Sequence, residues 1–121
     1  MAKQTRINAF EQLGGIDVLR CEFAVSGATT TVIDPAGHNT YEVIRVDYIP
    51  TEDTPGACTA TVQAGTNAIT NAVSINVAKD TLTSATTFDD AYNQVTPDTA
   101  LNLVRSTDVQ GGVCYVYIVR I

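Results

Sequence analysis

The side chains in this sequence able to do chemistry are three cysteines, Cys21, Cys58 and Cys114, one histidine, His38, and two adjacent carboxylate pairs, Glu52 with Asp53 and Asp89 with Asp90. A catalytic cysteine needs an imidazole or another positive group to hold its thiolate. Cys21 and Cys58 fall at strand positions that read as core-facing, which argues against a pair with His38. Free thiols acting as small core hydrophobes are therefore expected. An odd cysteine count cannot close fully into disulfides, and one histidine with three scattered cysteines matches no zinc-site spacing. His38 lies in DPAGHNT among the turn formers Pro35, Gly37 and Asn39, as a solvated loop histidine would.

In TTFDDAYNQV, Thr87 is placed to cap a short helical turn, with Asp89 and Asp90 in its first turn where the helix dipole favours negative charge. Capping explains both acids locally, while calcium ligation by the pair stays open. Glu52 and Asp53, in PTEDTPG, read as a solvated turn. Tyr41, Tyr48, Tyr92, Tyr115 and Tyr117 suggest either a sugar-stacking platform or core and interface packing, and the second is expected. No G-x-S-x-G, G-x-x-x-x-G-K or G-x-G-x-x-G stretch occurs. The expectation is a protein that is not an enzyme and has no catalytic, cofactor-binding or metal-binding residues.

Thirteen acidic against seven basic side chains give a net charge of −6, which disfavours a basic track for nucleic acid. Only 17% of residues are charged and 45% are hydrophobic, so much of the surface must be neutral, as surfaces covered by protein partners are. No apolar run of membrane-spanning length occurs, and the start MAKQTRINAFEQ has no apolar stretch after its basic residues. No membrane association and no secretion signal are expected, with synthesis and folding in the cytoplasm.

These residues must be positioned by strands, because strict alternation dominates the chain. In ACTATVQAG, Cys58, Ala60, Val62 and Ala64 share one face while Thr59, Thr61 and Gln63 share the other. DVLRCEFAV sets Leu19, Cys21, Phe23 and Val25 against Arg20 and Glu22. Strands near 17–25, 28–34 and 40–50 follow, then runs in NAITNAVSINVA, LTSATT, ALNLVRS and VCYVYIVRI, bounded by turn residues. Seven or eight short strands without interleaved helices predict an all-β fold, a β-sandwich or jelly-roll-like body over residues 16–121, preceded by a short N-terminal arm, residues 1–15. The arm spaces Ile7, Phe10 and Leu13 at three-residue intervals and stops at Gly14 and Gly15, too short a helix to stand alone in water.

The last strand, GGVCYVYIVRI, is apolar on both faces. Cys114, Val116 and Ile118 point one way, and Val113, Tyr115, Tyr117, Val119 and Ile121 point the other. With the first set in the core, the second must be covered by the arm or another chain. Tyr115, Tyr117, Val119 and Ile121 are accordingly the expected interface of a homo-oligomer.

The stretches ACTATVQAGTNAIT, SATTFDDAYNQV, LNLVRS and GGVCYVYIVRI together resemble small all-β virion proteins of tailed bacteriophages, particularly capsid decoration or cement proteins. The likeness covers about residues 57–121 and is one of sequence style. It implies a β-sandwich or jelly-roll body, commonly trimeric, that clamps neighbouring major capsid proteins from outside the shell, and hence a place on the virion exterior after synthesis in the host cytoplasm. With it, Lys3, Arg6, Ile7, Phe10 and Leu13 are expected to form a capsid-contacting arm. Alternative expectations are a phage tail, baseplate or fibre β-module, or a carbohydrate-binding β-sandwich.

Overall fold

The computed structural model describes residues 16–26, 29–33, 40–52 and 56–121. The expected arm with Lys3, Arg6, Ile7, Phe10 and Leu13 lies outside the described residues, as do His38 and Asp53. The described residues form ten strands: β1 (Ile16–Phe23), β2 (Thr30–Ile33), β3 (Tyr41–Pro50), β4 (Thr59–Ala64), β5 (Asn67–Ala68), β6 (Val73–Ser74), β7 (Thr83–Ser84), β8 (Gln94–Val95), β9 (Leu101–Arg105) and β10 (Gly112–Arg120). The all-β expectation holds. NAITNAVSINVA divides into β5 and β6 rather than running as one strand, with an isolated bridge from Thr70 to Phe88 between them in sequence.

Sheet A runs β1-β10-β3-β7, with β8 also on β3, and sheet B runs β2-β9-β4-β5, with β6 also on β4. Every pairing is antiparallel. Successive strands from β1 to β4 alternate between the sheets, and β9 and β10 return to their centres, which is the winding of a jelly roll. The core lies between the sheets. Phe23, Val43, Val46, Tyr48, Cys114, Val116 and Ile118 come from sheet A, and Ile33, Ala60, Val62, Leu101 and Leu103 from sheet B.

A β-bulge in β3 keeps both faces consistent. Tyr117 of β10 pairs with Arg45, but Ile118 pairs with Val43, so Ile44 is the extra residue. Tyr41 and Val43 face the core before the bulge and Val46 and Tyr48 after it, while the adjacent Ile44 and Arg45 are both exposed. Strict alternation through TYEVIRVDYI would have turned one half of this strand inside out.

Close approach fixes the start of β10. A Cβ on Gly112 would lie 2.5 Å from the Ile49 carbonyl oxygen, and one on Gly111 would lie 2.8 Å from the Val25 nitrogen. Gly65, with φ of +62°, turns β4 into β5 at the first position of a two-residue loop.

Two expectations are corrected. Val25, grouped with the core-facing residues of a strand running to 25, is exposed because β1 ends at Phe23. The segment after Thr87 forms a single turn capped by Asp89. The Asp89 carbonyl accepts from the Tyr92 and Asn93 N–H groups at 3.1 and 3.0 Å, and its Oδ1 accepts from the Ala91 N–H at 2.8 Å. Thr87 instead donates its N–H to Asn71 Oδ1 at 3.1 Å, pinning this segment beside the β5–β6 region.

Truncating Leu103, fully buried in sheet B, to alanine should cost about 2–5 kcal/mol of unfolding free energy. Val32→Thr, at a side chain 64% exposed on the same sheet, should change it by less than about 0.5 kcal/mol. Urea unfolding followed by circular dichroism checks both, and equal losses would mean that the face assignments in sheet B are wrong.

Candidate functional site

The residues singled out for chemistry do not converge. Cys21, Cys58 and Cys114 are free and buried. Cys21 and Cys114 are direct cross-strand partners in sheet A, while Cys58 immediately precedes β4 with its Sγ 3.3 Å from the Thr107 carbonyl oxygen. Burial raises the thiol pKa of Cys114 well above the ordinary 9.0, with Cys21 and then Asp47 adding to it. Burial also raises Cys21, partly opposed by the nearby positive charge of Arg105. Neither is a poised nucleophile. Among the described residues, no three His, Cys, Asp or Glu side chains gather closely enough to hold a metal ion. Asp89 is occupied in its turn, and Asp90 beside it is exposed.

The tyrosines divide by face. Tyr41 and Tyr48 are core residues, and burial drives the Tyr48 hydroxyl pKa upward. Tyr115 and Tyr117 are half-buried on the outer face of sheet A, and Tyr92 is exposed on the Asp89 turn.

The outer face of sheet A is the surface on which the expected interface residues meet. Cys114, Val116 and Ile118 do face the core, and Tyr115, Tyr117 and Val119 stand on the opposite side, with Ile121 exposed just beyond the strand. Register adds neighbours that sequence reading did not include. Ile16 lies opposite Val119, Val18 opposite Tyr117, and Arg20 opposite Tyr115, while on the other side Tyr117 meets Arg45 and Tyr115 meets Asp47. Exposures of 44% at Ile16, 41% at Val18 and 38% at Ile44 leave an apolar strip open on this face. In the sequence, Ile16 and Val18 alternate with core-facing Leu19, Cys21 and Phe23, which was a readable signal for a strand apolar on both sides.

Charges on this face are paired within the chain. Asp47 is only 1% exposed although it faces outward. Arg45 Nε donates to both of its carboxylate oxygens at 3.0 Å, Ser84 Oγ donates at 2.6 Å, and the Arg45 guanidinium lies 5.7 Å from the centre of the Tyr117 ring. Arg20 bonds Glu22, and this bond, followed by one to Tyr115, raises the guanidinium pKa.

Arg105 is a further residue that sequence reading passed over. It occupies a core-facing position of β9, donates Nη1 to the carbonyls of Ala24 at 2.8 Å and Gln110 at 3.1 Å, pairs with Asp108 and stacks 5.0 Å from the centre of the Phe23 ring. It ties together the end of β1, β9 and the loop before β10.

No family model matches the chain, and no curated protein matches it. A solved structure reported as "Bacillus endospore appendages form a novel family of disulfide-linked pili" is similar at 17% identity over 88% of this chain and 85% of that chain, with a TM-score of 0.37. A superposition that loose bears on neither the function nor the partners of this chain.

The buried thiols generate a pH prediction. Raised folded-state pKa values mean that the unfolded chain loses these protons first, so their contribution to stability is intact below the ordinary thiol value of 9.0 and falls as pH rises above it. Unfolding midpoints should decline above pH 9.0, less steeply in Cys114→Ala, and at neutral pH a thiol reagent should label the cysteines only once denaturant is added. Rapid native labelling of all three would contradict the buried assignment.

Proposed function

We propose that this chain is a virion structural protein that binds and stabilises the outside of a phage capsid, a decoration or cement protein. In this reading it works without catalysis or cofactor, as a homo-oligomer with three copies the expected number, and contacts the major capsid protein. The observation that supports it is the double-sided character of β10: a closed core uses Cys114, Val116 and Ile118, yet Tyr117 and Val119 with Ile16 and Val18 leave apolar surface beyond what one subunit buries. Surface of that kind marks a protein interface. Several such contacts made at once by an oligomer raise avidity far above that of one subunit, which suits the stapling of a lattice.

Residues 1–15, with apolar Ile7, Phe10 and Leu13 and basic Lys3 and Arg6, serve in this proposal as part of the clamp. Deleting residues 2–13 should leave the β-rich spectrum and the oligomeric state unchanged and sharply weaken attachment to undecorated capsids. Cosedimentation with such particles measures this. Full-strength attachment by the truncated protein would remove the arm from the clamp, and failure of the intact protein to attach to any capsid would sink the decoration reading in favour of a tail, baseplate or fibre module or a carbohydrate-binding β-sandwich.

A further inference from the structure

The outward side chains of sheet A combine an apolar strip with a margin whose charges are already satisfied. Ile16, Val18, Ile44, Tyr117 and Val119 are contiguous across β1, β10 and β3. Of the other exposed large apolar residues, Ile121 lies just beyond β10, while Val25, Val32, Leu82, Tyr92 and Val109 are scattered over separate segments. Around the strip, Arg20 pairs with Glu22 and Arg45 with Asp47, while Glu42 accepts from Asn93.

Formal charge distinguishes this face from the rest of the chain. Two basic residues, Arg20 and Arg45, stand against three acidic ones, Glu22, Glu42 and Asp47, which gives −1 out of the net −6. The remaining −5 lies elsewhere. Two copies of so acidic a chain repel over most of their surface and meet least opposition where charge is nearly balanced.

Pairing through the open edge of β1 is hindered. Thr51 N–H donates to the Gly111 carbonyl, which turns the backbone of odd-numbered β10 residues toward β3 and of even-numbered ones toward β1. Their partners Asp17, Leu19 and Cys21 therefore bond β10, and the N–H of Val18 faces the open edge. There it is taken by Asp17 Oδ1 at 2.9 Å, and the charged Arg20 and Glu22 flank it. An edge so occupied is protected against strand addition, leaving the face as the route of contact.

We propose that the outer face of sheet A seats a second copy of this chain, with Ile16, Val18, Ile44, Tyr117 and Val119 at the centre of the contact and the Arg20–Glu22 and Arg45–Asp47 pairs at its rim. This inference rests on the reading of the chain as an assembly subunit and assigns that assembly its surface. Raising ionic strength should not weaken association, because the central contact is apolar and the rim charges are paired within each copy, and it should favour association by screening the repulsion between the acidic surfaces elsewhere.

Size-exclusion chromatography with light scattering on the full chain at micromolar concentration tests it. The intact protein should run at a multiple of 12.9 kDa, and Val18→Lys with Val119→Lys should reduce it to a single chain with unchanged far-UV circular dichroism. Val32→Lys, on sheet B, should leave the multiple intact. Should the double variant unfold, Val18→Cys supplies an independent reading, since mild oxidation should give a reducible cross-linked dimer that Val32→Cys does not give. An intact protein of single-chain mass overturns the proposal, as does an oligomer that survives the folded double variant or that cross-links equally at both positions. If the intact protein is a single chain while the form lacking residues 2–13 associates, the face is covered by the chain's own first residues and the proposal is likewise overturned. Capsid cosedimentation run in parallel separates the two readings: association without attachment sinks the decoration function alone, and attachment as a single chain sinks this inference alone.

Discussion

Strand β10 is paired along its full length, to β1 on one side and to β3 on the other, and its core-facing residues Cys114, Val116 and Ile118 are essentially without exposure. The other strands of sheet A take their positions from this one. Its start must pass between Val25 and Ile49 with almost no clearance, a passage open to Gly111 and Gly112 because neither carries a Cβ. Its later part must keep three successive inward residues against sheet B while β3 changes parity beside it. The bulge at Ile44 absorbs that change, so Tyr41, Val43, Val46 and Tyr48 all reach the core. The same bulge places Ile44 on the outer face, so one local irregularity serves the core and shapes the surface.

Charge inside the sandwich is handled by pairing and backbone contact. Arg105 points into the interior, where an unpartnered guanidinium would be costly, and spends its donors on the carbonyls of Ala24 and Gln110 and on Asp108 while its plane stacks on Phe23. Its partners come from the end of β1 and from the loop that leads into β10, so it closes the sandwich at the end where Gly111 and Gly112 begin the central strand. Asp47 solves the converse problem. It faces outward, yet Arg45, Ser84 and its neighbours cover it, and its carboxylate is held by Arg45 at two oxygens.

Alternation made much of this legible in the sequence, because a period of two survives wherever one face is buried. Cys58, Ala60, Val62 and Ala64 separate cleanly from Thr59, Thr61 and Gln63, and the all-β class follows from many such runs. What stayed hidden depends on pairing. In TYEVIRVDYI the inward set switches from odd to even positions, and a single strand cannot show which residue its partner will leave out. The two-residue strands β5 to β8 are defined by their neighbours, with too little length for a period of their own. Asp89 took the capping role assigned to Thr87: the turn begins two residues later than the sequence suggests, and Thr87 is held instead by Asn71, a contact 16 residues away in sequence. The outer face was half legible: Tyr115, Tyr117, Val119 and Ile121 were visible in one strand, whereas Ile16, Val18 and Ile44 joined them only through register.

The arrangement on that face also bears on what covering it would cost. Exposed ion pairs such as Arg20–Glu22 contribute little to stability, so their effect lies mainly in cancelling charge beside the apolar strip. Asp47 has already lost its water on folding and is held by Arg45 and Ser84, so a partner seated over it does not have to strip a solvated carboxylate. What remains to be desolvated is the outer side of Arg45, a guanidinium that is weakly hydrated and already stacked near Tyr117. Apolar area supplies the favourable free energy, and pre-paired charge lowers what opposes it. With the Val18 N–H on the edge of β1 already taken by Asp17, that combination favours contact through a defined face over open-ended pairing of strand edges.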